Sequence, residues 1–332
     1  MNLPFFRSQN SFSNILITDY AIQFLELRSA NPLVVQRFGE HFLPAGIVVN
    51  GKIIDQDKLS LIMDECIQEW SLKRKNIRFV VPDAFVIIKK ITIPSDIKND
   101  EIKGYLYLEL GSNIHLPFEE PVFDYQVIGS SEGEREAILF AAPEQEVKNY
   151  ADFFESRKLK LSAADISPLC GFRVLSDLKS AHENILFVQI DMKSVTFTIF
   201  EKEQPILMRN LPVAQQLKNW EHQTDQLTGQ YFQFSLKDES KEEALLLYED
   251  SLGEIEKLLG FYKFSVSQGE QEIGKIVIAG DHPFLPDFFE KISSITNLPV
   301  IPLRREQVET SKNGPLPEKF KVLLGLALKE VE

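Results

Sequence analysis

Twice along this chain an apolar strand pattern stops at an aspartate, turns within a few residues and returns as a second strand. Ile15-Leu16-Ile17 leads into Thr18-Asp19-Tyr20-Ala21, and the pattern resumes over residues 22–27 with period two. Residues 185–190 end at Asp191, turn through Met192-Lys193-Ser194, return over 195–200 and add a third strand over 205–211. A strand, aspartate, turn, strand order used twice predicts two similar α/β lobes in one polypeptide. An aspartate at a strand end is also an ordinary turn former, so the repeat constrains architecture before it constrains chemistry.

At 332 residues the chain is long enough for two buried cores, and 44% apolar content excludes disorder along its whole length. Its net charge of −13 opposes non-specific attraction to nucleic acid or anionic lipid. Lys73-Arg74-Lys75 is the dense basic run and falls where a loop is expected. Cys66 and Cys170 sit in apolar periodic surroundings, which predicts buried thiols and no disulfide framework or zinc site. His41, His115, His182, His222 and His282 are scattered without metal-ligand spacing. No stretch reaches the roughly 18 apolar residues of a membrane span, and no secretory signal precedes the first strand, so a cytoplasmic location is expected. Leu3, Phe5 and Phe6 are expected in a frayed terminus, and the acidic run over residues 238–243 in a solvated loop or helix start.

Between the two hairpins, Asn50-Gly51 marks a two-residue turn, because both residues tolerate positive φ. Leu59, Ile62, Met63, Cys66, Ile67 and Trp70 recur three or four apart and predict one helical face. From residue 85 a separate unit of about seventy residues reads strand, helix, strand, strand, helix. Residues 213–244 read as polar and helical or loop-like. An amphipathic helix over 254–264, a strand over 275–279, a helix after Pro283, a short strand over 299–302 and a closing helix over 320–328 complete the pattern.

The hairpin over 15–27, Ile91-Thr92-Ile93-Pro94 and the helix containing Glu109 match a known family, as do His115-Leu116-Pro117-Phe118-Glu119-Glu120 with Phe123-Asp124-Tyr125. Ala164-Asp165-Ile166-Ser167-Pro168, Asp191 with Thr196, Arg209 and Gly325-Leu326-Ala327-Leu328-Lys329 follow in the same order. With these segments the chain resembles the PilM family of type IV pilus assembly proteins, relatives of the division protein FtsA in the actin-like superfamily. The resemblance implies an α/β, actin-like (ribonuclease H-like) two-lobed fold. Its first lobe would span residues 1–85 and 161–183, an FtsA-type 1C (SHS2-like) subdomain would be inserted at 86–160, and the second lobe would span 184–332 with a small subdomain over about 213–274.

In such a fold two aspartate-tipped turns face each other, wrap the phosphates of ATP and hold hydrated magnesium. Transferred to this chain, the nucleotide positions are Asp19, Tyr20, Ala21, Gln23, Asp191, Lys193, Ser194, Thr196, Glu254, Lys257, Gly280 and Asp281. Three motifs depart from the family pattern: Tyr20-Ala21 stands where glycine and serine are usual, Met192-Lys193 replaces a glycine-bearing turn, and Asp281-His282 follows Gly280. A side chain at such a turn blocks the close approach of phosphate to backbone amides. The resemblance therefore implies a scaffold with a degenerate ATP and magnesium site and no catalytic residues. The alternatives are an active, nucleotide-switched ATPase or an FtsA-like division protein. The implied partner is the cytoplasmic N-terminal peptide of a PilN-like inner-membrane protein, alongside other pilus components, with membrane contact only through partners and no nucleic acid. Phe85, Val86, Ile87, Ile88, Tyr105, Leu108 and Glu109 are its expected groove residues.

Overall fold

In the computed structural model, which describes residues 12–131, 133–175, 183–226, 229–237, 240–305, 308–311 and 315–330, the first hairpin pairs β1 (Ser13–Ile17) antiparallel with β2 (Ala21–Ala30). The expectations for residues 1–6, His182 and Asp238-Glu239 lie outside the described residues. β3 (Leu33–Phe42) adds to β2, and β4 (Val48–Val49) and β5 (Lys52–Ile53) form the small hairpin expected at Asn50-Gly51. Both turn residues carry positive φ, 48° and 76°, as a tight hairpin turn demands. Helix α1 (Gln56–Glu69) buries the predicted stripe of Leu59, Met63, Cys66 and Ile67, and Asp55 caps its first turn by accepting the Lys58 amide. Strand β6 (Asn76–Val81) then enters parallel to β1.

The next segment runs β7 (Ile87–Pro94), α2 (Ile102–Glu109), β8 (Pro121–Ser131), β9 (Glu134–Pro143) and α3 (Glu144–Ser156), the order read from the sequence. A small core of Ile91, Ile93, Ile102, Leu106, Ile114, Ala137 and Leu139 holds its strands to α2. Helix α3 does not join that core. Its Tyr150 stacks on Phe79 of β6 at 5.9 Å and donates to the Gly51 carbonyl at 2.7 Å, so it packs on the first lobe. The chain returns through β10 (Lys160–Ile166), parallel to β6, into α4 (Ser167–Leu175).

The second lobe repeats this wiring. Strands β11 (Ile185–Ile190), β12 (Ser194–Glu201) and β13 (Gln204–Pro212) form an antiparallel meander. Residues 213–244, expected as helix or loop, instead contain the hairpin β14 (Trp220–Thr224) and β15 (Phe232–Leu236) before α5 (Lys241–Leu246). Trp220, Phe232 and Phe234 join a local aromatic cluster, and it is this clustering that favours strand in a segment of polar average. Then follow α6 (Glu249–Leu252), α7 (Glu254–Phe261), β16 (Lys275–Ala279), α8 (Leu285–Ile295), β17 (Val300–Pro302), β18 (Glu309–Thr310) and α9 (Lys321–Ala327).

One sheet has the order β10-β6-β1-β2-β3-β18 and the other β17-β16-β11-β12-β13-β7-β9-β8. The first five strands of each share one order and one set of directions, so the duplication is topological as well as local. Helices α4 and α9 lie between the sheets in a core with Leu25, Val80, Phe187 and Val277. They approach so closely that a Cβ on Gly325 would stand 1.8 Å from the Cys170 carbonyl oxygen. Asp165 ties this crossing together through Arg173 at 2.8 Å and Lys329 at 3.1 Å.

Candidate functional site between the lobes

The carboxyl ends of β1, β6, β11 and β16 meet at the seam between the two sheets, the usual place for a ligand in an α/β fold. The turn after β1 is tight: the Thr18 amide donates to the Ala21 carbonyl at 2.9 Å, and the Ala21 amide to the Thr18 hydroxyl at 3.0 Å. Asp19 faces its own lobe, accepting the amides of Asn50 at 2.7 Å and Gly51 at 3.0 Å. Tyr20 crosses the seam. It is 2% exposed, its hydroxyl donates to Oδ2 of Asp281, and its ring meets Phe234 edge-on at 5.9 Å.

On the other side, Asp191 accepts Gln189 Nε2 at 2.7 Å and the Asp281 amide at 3.1 Å, while Asp281 Oδ1 accepts the Met192 amide at 3.3 Å. Gly280 makes this junction possible. Its φ is +135°, and a Cβ there would stand 1.9 Å from the Ile190 carbonyl oxygen. Lys193 donates to the Gln215 carbonyl at 2.6 Å and so folds back on its own lobe.

A second bridge comes from a residue the sequence reading passed over. Asp83, in the short turn after β6, accepts the hydroxyls of Ser167 at 2.8 Å and of Thr196, from the opposite lobe, at 3.1 Å. Thr196 in turn accepts Asn210 Nδ2 at 2.8 Å, while the other Asp83 oxygen is buried without a partner. The signal was present as a second repeat: Pro82-Asp83 follows β6 as Gly280-Asp281 follows β16.

Burial sets the electrostatics. It pushes the Asp83 carboxyl up to about 6 against the two hydroxyl donors. Asp191 is raised by burial and then by the charge of Asp281. Asp281 is raised by burial, with Lys319 and the Tyr20 hydroxyl opposing. Tyr20 is raised by burial and by both aspartates, which keeps its hydroxyl a donor. Burial lowers His282 to about 3, so its ring is neutral.

The cavity left at the seam is about 110 Å³, and its lining includes Asp19, Tyr20, Asp83, Asp191, Lys193, Ser194, Gly280 and Asp281 with Lys319 and Lys321. Pockets for cofactor-sized ligands run to about 300–1,000 Å³. Of the expected nucleotide positions, five lie outside the cavity lining, Thr196, bonded to Asp83, among them. Ala21 is fully buried in the first lobe, Gln23 donates to Glu40 at 2.7 Å, and Glu254 pairs with Arg209 at 2.8 Å and with Lys257 at 3.5 Å. Among the described residues no group of three or more histidine, cysteine or acidic side chains is arranged to hold a metal ion.

The expected peptide residues divide in two. Phe85, Val86 and Ile88 are buried in the core, and β7, which holds Ile87 and Ile88, pairs with β9 along its length and with β13 at Lys89 opposite Leu207. At that point β7 is flanked by a strand on each side. Leu108 stands 76% exposed on α2, Tyr105 packs into the small core, and Glu109 accepts Asn113 Nδ2 at 2.6 Å. Among the described residues no helix is long and apolar enough to cross a membrane.

A family model described as type IV pilus assembly protein PilM matches residues 15–329. No curated protein shows a significant match to the chain. Among solved structures, a PilM-PilN type IV pilus biogenesis complex superposes with a TM-score of 0.74 at 17% identity, covering 96% of this chain and 97% of that one. MreB5 of Spiroplasma citri bound to ADP gives 0.51 at 9% identity over 96% and 95%, and the ethanolamine utilization protein EutJ of Carboxydothermus hydrogenoformans gives 0.50 at 12% over 96% and 89%. The fold is actin-like, and what these proteins bind is theirs.

Proposed function

The chain belongs to the type IV pilus assembly protein PilM family, and we propose that it acts as a non-enzymatic actin-like scaffold at the inner face of the membrane, gripping the cytoplasmic N-terminal tail of a PilN-like membrane protein. The observation that carries the scaffold reading is the Tyr20–Asp281 contact across the seam. A buried aromatic side chain occupies the turn where phosphate would need free backbone amides, and Asp83, Asp191 and Asp281 add acidic groups beside it. Those residues do not fit a triphosphate in this arrangement, so the nucleotide site is degenerate. The partner is supported by the solved PilM-PilN relative, which shares the fold over 96% of this chain. Attachment to the membrane then runs through the partner.

Calorimetry with the N-terminal peptide of a PilN-like membrane protein from the same organism tests the scaffold. Saturable binding is expected, and a well-folded sample that takes up no peptide overturns it. A second reading, a nucleotide-switched ATPase, draws on the aspartates, Lys193 and Gly280 that still line the seam cavity. Titration with ATP and magnesium separates the two: no heat is expected, and stoichiometric binding would favour the switch.

A further inference from the structure

Four aspartates line the seam cavity, and seven of their eight carboxyl oxygens accept a donor from the protein itself. Both Asp19 oxygens take amides of the β4–β5 turn, both Asp191 oxygens take donors from Gln189 and Asp281, and both Asp281 oxygens take donors from Tyr20 and Met192. The eighth, Oδ1 of Asp83, is buried without a partner. So is Oε1 of Gln189, a residue 7% exposed that lines the same cavity and whose Nε2 is held by Asp191. Asp83 belongs to the first lobe and Gln189, on β11, to the second.

Both leftover atoms are acceptors, so a ligand that satisfies them must donate, and a phosphate oxygen gains nothing from either. Charge then narrows the kind of donor. The lysines of the lining are engaged elsewhere: Lys193 by the Gln215 carbonyl, Lys319 by Glu40 and the Phe232 carbonyl, Lys321 by Glu318 and the Leu303 carbonyl. Among the described residues no lysine or arginine forms an ion pair with any of the four aspartates. Buried carboxylates without a counter-ion are costly, and a cation that donates hydrogen bonds offsets that cost while it fills both acceptors. A metal ion needs several oxygens drawn close around it, and no such group is present among the described residues. An organic cation needs only acceptors within hydrogen-bond reach of its N–H groups. At about 110 Å³ the cavity admits a group of a few heavy atoms.

We infer that the seam binds a small organic cation with several N–H donors, a guanidinium or primary ammonium compound, which donates to Asp83 Oδ1 on one side and to Gln189 Oε1 on the other and so ties the two lobes together. The inference rests on the reading that the seam is closed to nucleotide, and it gives the same site a ligand of opposite charge. The planar fork of a guanidinium and the three donors of an ammonium can each bridge two acceptors.

The test titrates the full chain, by calorimetry and by thermal melting, with methylguanidinium, methylammonium and tetramethylammonium chlorides at matched ionic strength, and separately with magnesium chloride and with ATP and magnesium. Saturable binding of methylguanidinium or methylammonium is expected, with a dissociation constant on the order of 1 mM for ligands of so few atoms, together with a rise in melting temperature. Tetramethylammonium has the charge and no N–H, and is expected to do neither. Asp83→Asn and Gln189→Leu, each confirmed as folded by a cooperative melt, are expected to weaken binding at least roughly tenfold, the equivalent of about 1.4 kcal/mol. The inference is overturned if neither N–H cation binds, if tetramethylammonium acts equally, if either folded variant binds as the parent does, or if magnesium alone gives the response that the variants abolish. Stoichiometric ATP uptake brings down the degenerate-site reading and this inference with it, whereas silence from the cations and from ATP alike removes the inference alone.

Discussion

The two lobes have the same five-strand wiring and place aspartates at corresponding strand ends, yet the two pairs do opposite things. In the second lobe Asp191 and Asp281 turn toward each other, linked through the Asp281 amide, and both are pushed toward their protonated forms. In the first lobe the pair separates: Asp19 accepts two amides from the β4–β5 turn, and Asp83 reaches across to Thr196. A duplicated backbone thus does not duplicate chemistry. The difference comes from which donors the local loops supply, and in the first lobe a hairpin turn supplies two.

Breaking the second-lobe junction has the largest effect. Gly280→Ala forces a Cβ into the Ile190 carbonyl at a φ of +135°, and a loss of about 4 kcal/mol is expected in urea unfolding, from backbone strain and overpacking together. An alanine that leaves stability unchanged would mean the two second-lobe aspartates are not locked by this contact.

Asp83 tests the bridge between lobes through pH. Its folded value of about 6 lies above the unfolded value, so the native state holds a proton that the unfolded chain has released. The contribution is therefore fully favourable below the unfolded value, near pH 4, and is lost as pH rises through 6, by about 3 kcal/mol in all. Asp83→Asn resembles the protonated form. It is expected to match the parent near pH 4 and exceed its stability above pH 7, and unfolding curves at the two pH values check this. A parallel shift at both would remove the titration.

Asp19 and Asp191 sharpen the contrast by sign. Asp19→Asn turns one acceptor into a donor facing an amide and is expected to lower stability by about 2 kcal/mol. Asp191→Asn relieves a buried charge beside Asp281, and the Gln189 oxygen, buried without a partner, is available to accept the new amide. It is expected to be neutral or stabilising at pH 8, with the gain fading in acid as Asp191 itself takes up a proton. Equal losses from both would erase the distinction between the lobes.

The smallest effect is expected from Tyr20→Phe, about 1 kcal/mol from a hydrogen bond lost across the seam, read by thermal melting. The ring remains in its aromatic cluster, so the cavity is unchanged. Removing the ring as well, in Tyr20→Gly, is the variant in which ATP uptake would first become detectable if side-chain bulk is what closes the seam.

Much of the architecture was readable because its signals are local. The period-two hairpins, the helical stripe of α1, the Asn50-Gly51 turn and the strand, helix, strand, strand, helix order from β7 to α3 depend on neighbours a few residues apart. The site was legible only in part. Asp19, Tyr20, Asp191 and Asp281 come together at the seam, whereas Gln23 and Glu254 carry the right chemistry but point to partners within their own lobes. The β14–β15 hairpin was missed because its polar average hides an alternation completed only by Tyr20, Met192 and Phe284 from distant elements. Helix α3 reads from sequence as part of the same unit as β7, α2, β8 and β9, and it packs on Phe79 of β6.

By itself the sequence determined the two repeats, the element order outside residues 213–244, the acidic balance and the residues standing at each strand end, since all follow from periodicity and composition. The tertiary structure alone decided where each side chain at those ends points, that β7 joins β13 and leaves β8 as the open edge, and that Asp83 meets Thr196. These depend on long-range packing, in which burial and the hydrogen-bond donors of remote loops outweigh any preference a residue carries locally.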